Sequence, residues 1–308
     1  MKAALSSLRF GTRASALARQ QTRRVISAIR DHHAELECDE VVIDTSGDRD
    51  RETPLPELGG TGVFTEALEA ALIRDEVSAA VHSLKDLPIN TNPQLVLAAI
   101  CFRADPRDVL VSRQQWTLDT LPRGAVIGTS SPRRTAQLRL LRPDLEFVAL
   151  RGNVETRVQR ALAGQYDAIC IAAAGVNRLG LHPAVSEHLS VDRILPAPGQ
   201  GALAVQCHIG NEEARRYVAA IDDPVVRAAV EAERAFLAEL GGGCSAPVGA
   251  LAERRDGTDE LLLRGIVLAP DGSGAIRVHG EANLAEAATL GRRLAGIALE
   301  RGAGALLS

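Results

Sequence analysis

Residues 125–141 read AVIGTSSPRRTAQLRLL, and this stretch decides the fold class. Its first part, Ala125–Gly128, has the length and apolar content of a buried strand. A polar turn, Thr129–Ser131, leads into Pro132–Leu141, a segment of good helix formers. Ser131 suits the N-cap, because its hydroxyl can accept from an N–H that the first helical turn leaves unpaired. Pro132 suits the first helical position, where a missing N–H costs nothing. A buried strand feeding a capped helix through three residues is half of a βαβ unit, and repetition of that unit builds a parallel sheet covered by helices.

The alternation extends over the first two thirds of the chain. Further strands are expected at Leu8–Phe10, Glu40–Asp44, Ala79–His82, Leu95–Ile100, Glu146–Leu150 and Ala168–Ala172. Helices are expected at Ser15–His32, Thr65–Asp75, Val154–Ala163 and Pro224–Leu240. The last part reads differently: Ala246–Ala269 and Ala275–Ala282 as strands joined by Asp271–Gly272, then a helix from Leu284 to Arg301, which makes a small α+β domain. Arg103–Asp108, which carries Pro106, and Leu195–Gly201, which reads LPAPGQG, mix fixed and free backbone as a crossing between domains requires.

At 308 residues the chain exceeds one typical domain, and 46% apolar with 24% charged residues is a globular composition. No window approaches the roughly 20 apolar residues of a bilayer span, and no export signal opens the chain, so a cytoplasmic protein is expected. A net charge of −4 with 3% aromatic residues speaks against bulk nucleic-acid binding. Of the 35 basic residues only Lys2 and Lys85 are lysines, so anion recognition falls to arginine. Cys38, Cys101, Cys170, Cys207 and Cys244 are scattered singly, without the spacing of a zinc site or a disulfide framework. Four of them read as small buried hydrophobes.

Three turns, Gly11–Ser15 (GTRAS), Gly128–Arg134 (GTSSPRR) and Arg151–Arg157 (RGNVETR), each place arginine between a strand end and a helix start. Asn153 can cap as Ser131 does. Unpaired N–H donors and the positive end of the helix dipole, joined by a guanidinium, make a carboxylate or phosphate site. Neither a Walker A motif nor GxGxxG occurs; Gly59–Gly62 (GGTG) lacks the Gly-Lys-Ser/Thr that would follow. Two places carry chemistry. In Ala79–Asp86 (AAVHSLKD) an apolar strand ends in His82, Ser83, Lys85 and Asp86, where Asp86 is either a proton-transferring carboxylate or a loop aspartate paired with Lys85. In Gly241–Pro247 (GGGCSAP) three glycines open the backbone around Cys244, either for close approach of a bulky group or as a flexible linker. A thiol nucleophile served by the distant His82 is a further reading.

Nine motifs, LRFGTRASALA, GGTGVF, AAVHSLKDLP, DPRDVLVS, GTSSPRR, LRGNVETR, AAAGVNRLGL, LPAPGQGALA and GGGCSAPVG, run in one order from Leu8 to Gly249 and together resemble the porphobilinogen deaminase family. The resemblance implies two doubly wound α/β domains like those of periplasmic binding proteins plus a small α+β C-terminal domain. The expected limits are residues 1–100 with 201–219, residues 107–195, and residues 223–308. It implies a cytoplasmic transferase, a monomer without metal, membrane or nucleic-acid partner. Such an enzyme joins four porphobilinogen molecules into hydroxymethylbilane on a dipyrromethane cofactor held by a thioether to Cys244. Each porphobilinogen loses ammonia to become an electrophilic azafulvene, which the α-carbon of the terminal pyrrole attacks.

In that comparison Asp86 matches the catalytic aspartate. Ser83, Lys85, Thr129, Ser131, Arg133 and Arg134 match cofactor-binding positions. Arg13, Ser15, Ser130, Arg151, Gly152, Asn153, Arg157 and Arg178 match substrate-binding ones. Thr61 stands where many relatives carry lysine, Gly241 where an acidic residue is frequent, and Pro132 where leucine is. Two other functions share parts of this pattern, a two-lobed carboxylate-binding protein without catalysis and a cysteine hydrolase.

Overall fold

The computed structural model describes residues 7–45, 47, 60–90, 92–243 and 246–307. Along the chain run β1 (Ser7–Arg13), α1 (Ala16–His32), β2 (Glu37–Ile43), α2 (Glu66–Ile73), β3 (Ala79–Ser83), β4 (Leu95–Cys101), β5 (Asp108–Val111) and β6 (Val126–Gly128). There follow α3 (Pro132–Leu141), β7 (Glu146–Val148), α4 (Val154–Leu162), β8 (Ala168–Ala172), α5 (Ala173–Arg178), β9 (Val185–His188) and β10 (Leu203–His208). The last elements are α6 (Glu212–Ala219), α7 (Pro224–Glu239), β11 (Val248–Arg254), β12 (Glu260–Leu268), β13 (Ala275–Asn283), α8 (Ala287–Glu300) and α9 (Ala303–Leu307). They fall into two compact units, Met1–Arg103 with Ala202–Arg227, and Ala104–Gly201 with Ala228–Ser308.

In the first unit one five-stranded sheet has the order β2-β1-β3-β10-β4. β1 is parallel to both β2 and β3, and β10 enters antiparallel between β3 and β4. Successive residues of a strand face opposite sides of the sheet, and β3 is buried on both. Ala79 and Val81 pack with Leu8, Phe10 and the α1 residues Val25, Ile26 and Ile29. Ala80 packs on the other side with Leu68, Ala71 and Leu72 of α2. That two-sided burial is why the strand reads as an unbroken apolar run.

The second unit repeats the plan in a sheet of order β7-β6-β8-β5-β9, with β6 parallel to β7 and β8, and β5 antiparallel to β8 and β9. Leu138 of α3 packs with Leu110, Ile127 and Cys170 on one face; Val158 and Ala161 of α4 pack with Val109, Ile169 and Ile171 on the other. The same unit holds an antiparallel three-stranded sheet, β11-β12-β13. Its Leu251, Ile266 and Leu268 pack with Ala136 of α3 and Leu195.

The run Ala246–Ala269 is not one strand. It holds β11 and β12, which pair with Val248 opposite Val267 and reverse near Asp256 and Gly257. Glu253–Glu260 is too charged to be buried, so the chain leaves the core there and returns. β5, β9 and β10 lie outside the expected strands, and the expected Glu146–Leu150 strand ends at Val148.

α8 lies close against α7 at Gly291, where an added Cβ would overlap the Ala232 carbonyl oxygen and come within 2.9 Å of the Phe236 nitrogen. Both obstacles are backbone, so neither can rotate away. Gly291→Ala is expected to lower unfolding free energy by about 1–3 kcal/mol, the usual cost of overpacking. Urea denaturation checks this as a shift of midpoint at constant m-value.

Candidate active site

In the first unit β1 ends at Arg13 and β3 at Ser83, on the same edge of the sheet because the two strands are parallel. Ser15 caps α1, its hydroxyl accepting from the Ala18 N–H at 3.3 Å. Beyond Ser83 the chain makes one 3-10 turn, Leu84–Asp86. Leu84 and Leu87 are fully buried on either side of it, and the Leu84 N–H donates to the Ala202 carbonyl at 3.1 Å. Lys85 and Asp86 are thereby held half-buried on an anchored turn. The Ser83 hydroxyl meets Gln21 of α1, whose Nε2 donates to it at 3.0 Å. The Arg13 guanidinium stacks over Phe64, 4.0 Å from the ring centroid, a cation–π contact that fixes its direction.

His82 sits next to this turn and is not available as a base. Burial pushes its imidazole down to about 4, and nearby Arg13 acts in the same direction against a hydrogen bond with Gln206. Its Nε2 meets no hydrogen-bond partner among the described residues.

In the second unit the parallel ends of β6, β7 and β8 carry the turn Thr129–Ser131, the loop Arg151–Asn153 and the start of α5. Ser131 caps α3, accepting from the Arg134 N–H at 3.4 Å, and Asn153 caps α4, accepting from the Thr156 N–H at 2.9 Å. Thr129 is buried and donates through its backbone N–H to the Val148 carbonyl at 3.0 Å. The Ser130 hydroxyl bridges to Leu150, donating to its carbonyl and accepting from its N–H, both at 2.9 Å. Arg157 donates from Nε to the Gly152 carbonyl at 2.7 Å, and Arg178 from Nη2 to the Gly201 carbonyl at 2.7 Å. Arg160 donates to the Arg151 carbonyl at 3.2 Å.

Arg133 and Arg134 are turned inward. Arg133 Nη1 donates to Asp108 Oδ2 at 2.8 Å and to the Leu195 carbonyl at 2.6 Å. Arg134 donates to Asp108 Oδ1 from Nη2 at 2.7 Å and Nε at 3.0 Å. The side chains of Arg133, Arg134 and Asp108 are 4%, 9% and 0% exposed. Burial alone would raise the Asp108 carboxyl, but the two guanidiniums outweigh it and hold the group far below the ordinary carboxylate range. Asp108, Gln21, Phe64 and Gln200 were not singled out by the sequence reading. The motifs DPRDVLVS, GGTGVF and LPAPGQGALA contain Asp108, Phe64 and Gln200, but none of them reveals the partners.

Cys244 and Ser245 lie outside the described residues. α7, which leads to them, ends with Gly241 at φ +67, the left-handed cap position that favours glycine. The Gly241 N–H donates to the Ala238 carbonyl at 3.0 Å. An added Cβ on Gly243 would meet open space, so packing does not call for glycine there. The other four cysteines are buried and free, and burial pushes the thiols of Cys170 and Cys207 up to about 12, which leaves them unreactive.

Each of these sheet edges gathers hydrogen-bond donors and cations around few acids, the donor set that a ligand rich in carboxylates requires. A family model described as the porphobilinogen deaminase dipyromethane cofactor binding domain matches residues 8–216, and one for the porphobilinogen deaminase C-terminal domain matches 227–300. The porphobilinogen deaminase of Acidothermus cellulolyticus is 48% identical, over 99% of this chain and 92% of its own length. That of Roseiflexus castenholzii is 47% identical over 98% and 99%. Porphobilinogen deaminase 1 of Streptomyces coelicolor is 48% identical over 98% and 97%. Among solved structures, a Salmonella typhimurium periplasmic binding protein is similar over 72% of this chain and 93% of its own, at 15% identity and a TM-score of 0.40.

Two buried titratable groups, His82 and Asp108, predict a two-part acid limb. His82 has the ordinary value of 6.5 when unfolded and about 4 when folded. The unfolded chain therefore binds a proton that the folded chain refuses, and stability falls as pH drops from about 6.5 to about 4, by at most about 3 kcal/mol. Asp108 is depressed in the folded state, so its contribution is present above the ordinary 3.8 and is lost at lower pH. Denaturation midpoints measured against pH should show both declines. His82→Gln should flatten the upper one and leave the lower.

Proposed function

The chain belongs to the porphobilinogen deaminase family, and from that membership we propose which of its side chains carry the reaction. The protein is a transferase of tetrapyrrole biosynthesis that condenses four porphobilinogen molecules into hydroxymethylbilane with loss of ammonia. Its cofactor is dipyrromethane, which when bound supplies the primer pyrrole to which new rings are joined. We assign its covalent attachment to Cys244, a thioether to the one cysteine placed in a glycine-rich turn; the resemblance of GGGCSAPVG supports this assignment.

The observation that carries the catalytic assignment is the anchored turn of Asp86. The amino group must be protonated to leave as ammonia, and the electron-poor pyrrole left behind needs a negative charge nearby. A carboxylate serves both needs only if it stays in place, since a mobile side chain would reorganise at the barrier. Leu84 and Leu87 hold the backbone of Asp86 from both sides, and Asp86 itself is only half-buried. Lys85 and Ser83 leave the same strand end, and Arg13 and Ser15 leave the neighbouring one.

Every pyrrole ring added brings one acetate and one propionate, so the ligand gains two carboxylates per cycle. Arginine's planar fork takes a carboxylate through two parallel bonds. Arg13, Ser15, Ser130, Arg151, Gly152, Asn153, Arg157 and Arg178 are read as contacts to substrate. Ser83, Lys85, Thr129, Ser131, Arg133 and Arg134 are read as contacts to the cofactor. Three separate sheets support a division into residues 1–100 with 201–219, 107–195 and 223–308. We read the enzyme as a cytoplasmic monomer acting on a small molecule, without membrane or nucleic-acid partners. Supporting this, no helix among the described residues is long and apolar enough to cross a membrane, and the net charge is −4.

The intact mass of the purified protein should exceed the sequence mass by one dipyrrole, and Cys244→Ser should abolish the excess. An active protein at the bare sequence mass would refute the attachment. Asp86→Asn should keep the urea midpoint and lose about 10²- to 10⁴-fold in kcat for porphobilinogen consumption. Retention of about a tenth of the turnover would contradict the role given to Asp86.

A further inference from the structure

The cluster around Asp108 has features that fold stability does not explain. Two guanidiniums meet one carboxylate in a space closed to water, so that the trio carries one excess positive charge. Arg133 Nε is buried and has no acceptor among the described residues. A buried ion pair seldom adds more stability than apolar side chains of the same volume. The first turn of α3, to which both arginines belong, adds the positive end of its dipole beside the Thr129–Ser131 turn.

The carboxylate is itself restrained from two directions. It leaves the first residue of β5, a central strand, and Gln200 donates to its Oδ1 at 2.9 Å from the LPAPGQG segment. Gln200 Nε2 also reaches the Pro106 carbonyl at 2.7 Å. The Leu195 carbonyl accepts from Arg133 and, at 2.9 Å, from Gln137 of α3, while the Leu195 N–H donates to Gln137 Oε1 at 2.8 Å. The arginines are therefore fixed before any ligand arrives.

We infer that Asp108 is a positioning residue for ligand carboxylates: it holds Arg133 and Arg134 together in a fixed orientation at the N-terminal turn of α3. This rests on the reading of the preceding section, in which that turn binds a carboxylate-rich ligand. Without the anion the two like charges repel in a medium of low dielectric constant, and their orientation is lost. A site ordered in advance binds more tightly because less is reorganised on binding. The chemistry at Asp86 does not pass through the cluster, so the effect falls on binding rather than on turnover at saturation.

The test uses full-length Asp108→Asn, Asp108→Glu and Gln200→Leu beside the wild type, with steady-state kinetics and intact mass. Asp108→Asn is expected to raise KM for porphobilinogen about tenfold with kcat per dipyrrole-carrying chain changed less than about threefold, and to reduce the fraction of chains carrying the dipyrrole. Asp108→Glu should recover much of both. Gln200→Leu should raise KM about two- to threefold. A merely structural role would lower the folded fraction and leave KM at the wild-type value, and a wild-type KM overturns the inference. If Asp108→Asn does not fold, Gln200→Leu decides: a stable protein with unchanged KM refutes the role, and a raised KM supports it. A wild-type protein with neither excess mass nor porphobilinogen consumption would instead overturn the family chemistry, and this inference with it.

Discussion

Parallel strand pairing is the constraint from which the rest follows. A parallel neighbour can be reached only by a crossover, which here is a helix, and each such helix must start at the edge where the strand before it ends. β1 and β3 in one unit, and β6, β7 and β8 in the other, therefore deliver their following residues to a single edge of each sheet. Helix N-termini gather there with unpaired N–H groups and partial positive charge. The apolar interior of each sheet is what enforces it, since Ala79, Ala80 and Val81 are buried on alternating faces and cannot slip by one residue without exposing one set.

On these edges polar residues build the turns as well as standing on them. Ser131 and Asn153 cap helices and Ser130 bridges to Leu150, so their side-chain oxygens already hold the backbone in place. Lys85 and Asp86 stand half-buried on a turn whose leucines are fully buried. Rigidity and availability are thus assigned to different side chains of the same few residues. A catalytic carboxylate needs that separation, because its backbone must not move when its charge does its work.

Much of this was legible locally. The caps Ser131 and Asn153, the strand 79–82 and the helix 132–141 follow from residues within four positions of each other, and the structure has them there, with the strand one residue longer. The turn inside Ala246–Ala269 was missed, although Asp256-Gly257 within a charged run is the local signal for it. β10 was missed for another reason. Its buried run Leu203–Gln206 pairs with Ala80–Ser83, more than a hundred residues earlier, and inserts antiparallel into a sheet whose other neighbours are parallel. Nothing in its own six residues states that partner.

The amino-acid sequence by itself determined the α/β class, the starts of α3, α4 and α7, the family and the residue types that line each turn. Periodicity, capping and motif order act over short spans of chain and are written there directly. Only the tertiary structure decided what the charged side chains do. Arg133 and Arg134 look like solvent-facing cations in GTSSPRR, yet both point at Asp108, some 25 residues away. His82 looks like an available base, yet burial makes it a weak one that resists taking up a proton. Charge state and direction depend on desolvation and on partners brought in by folding, and those are properties of a neighbourhood in space rather than of a position in the chain.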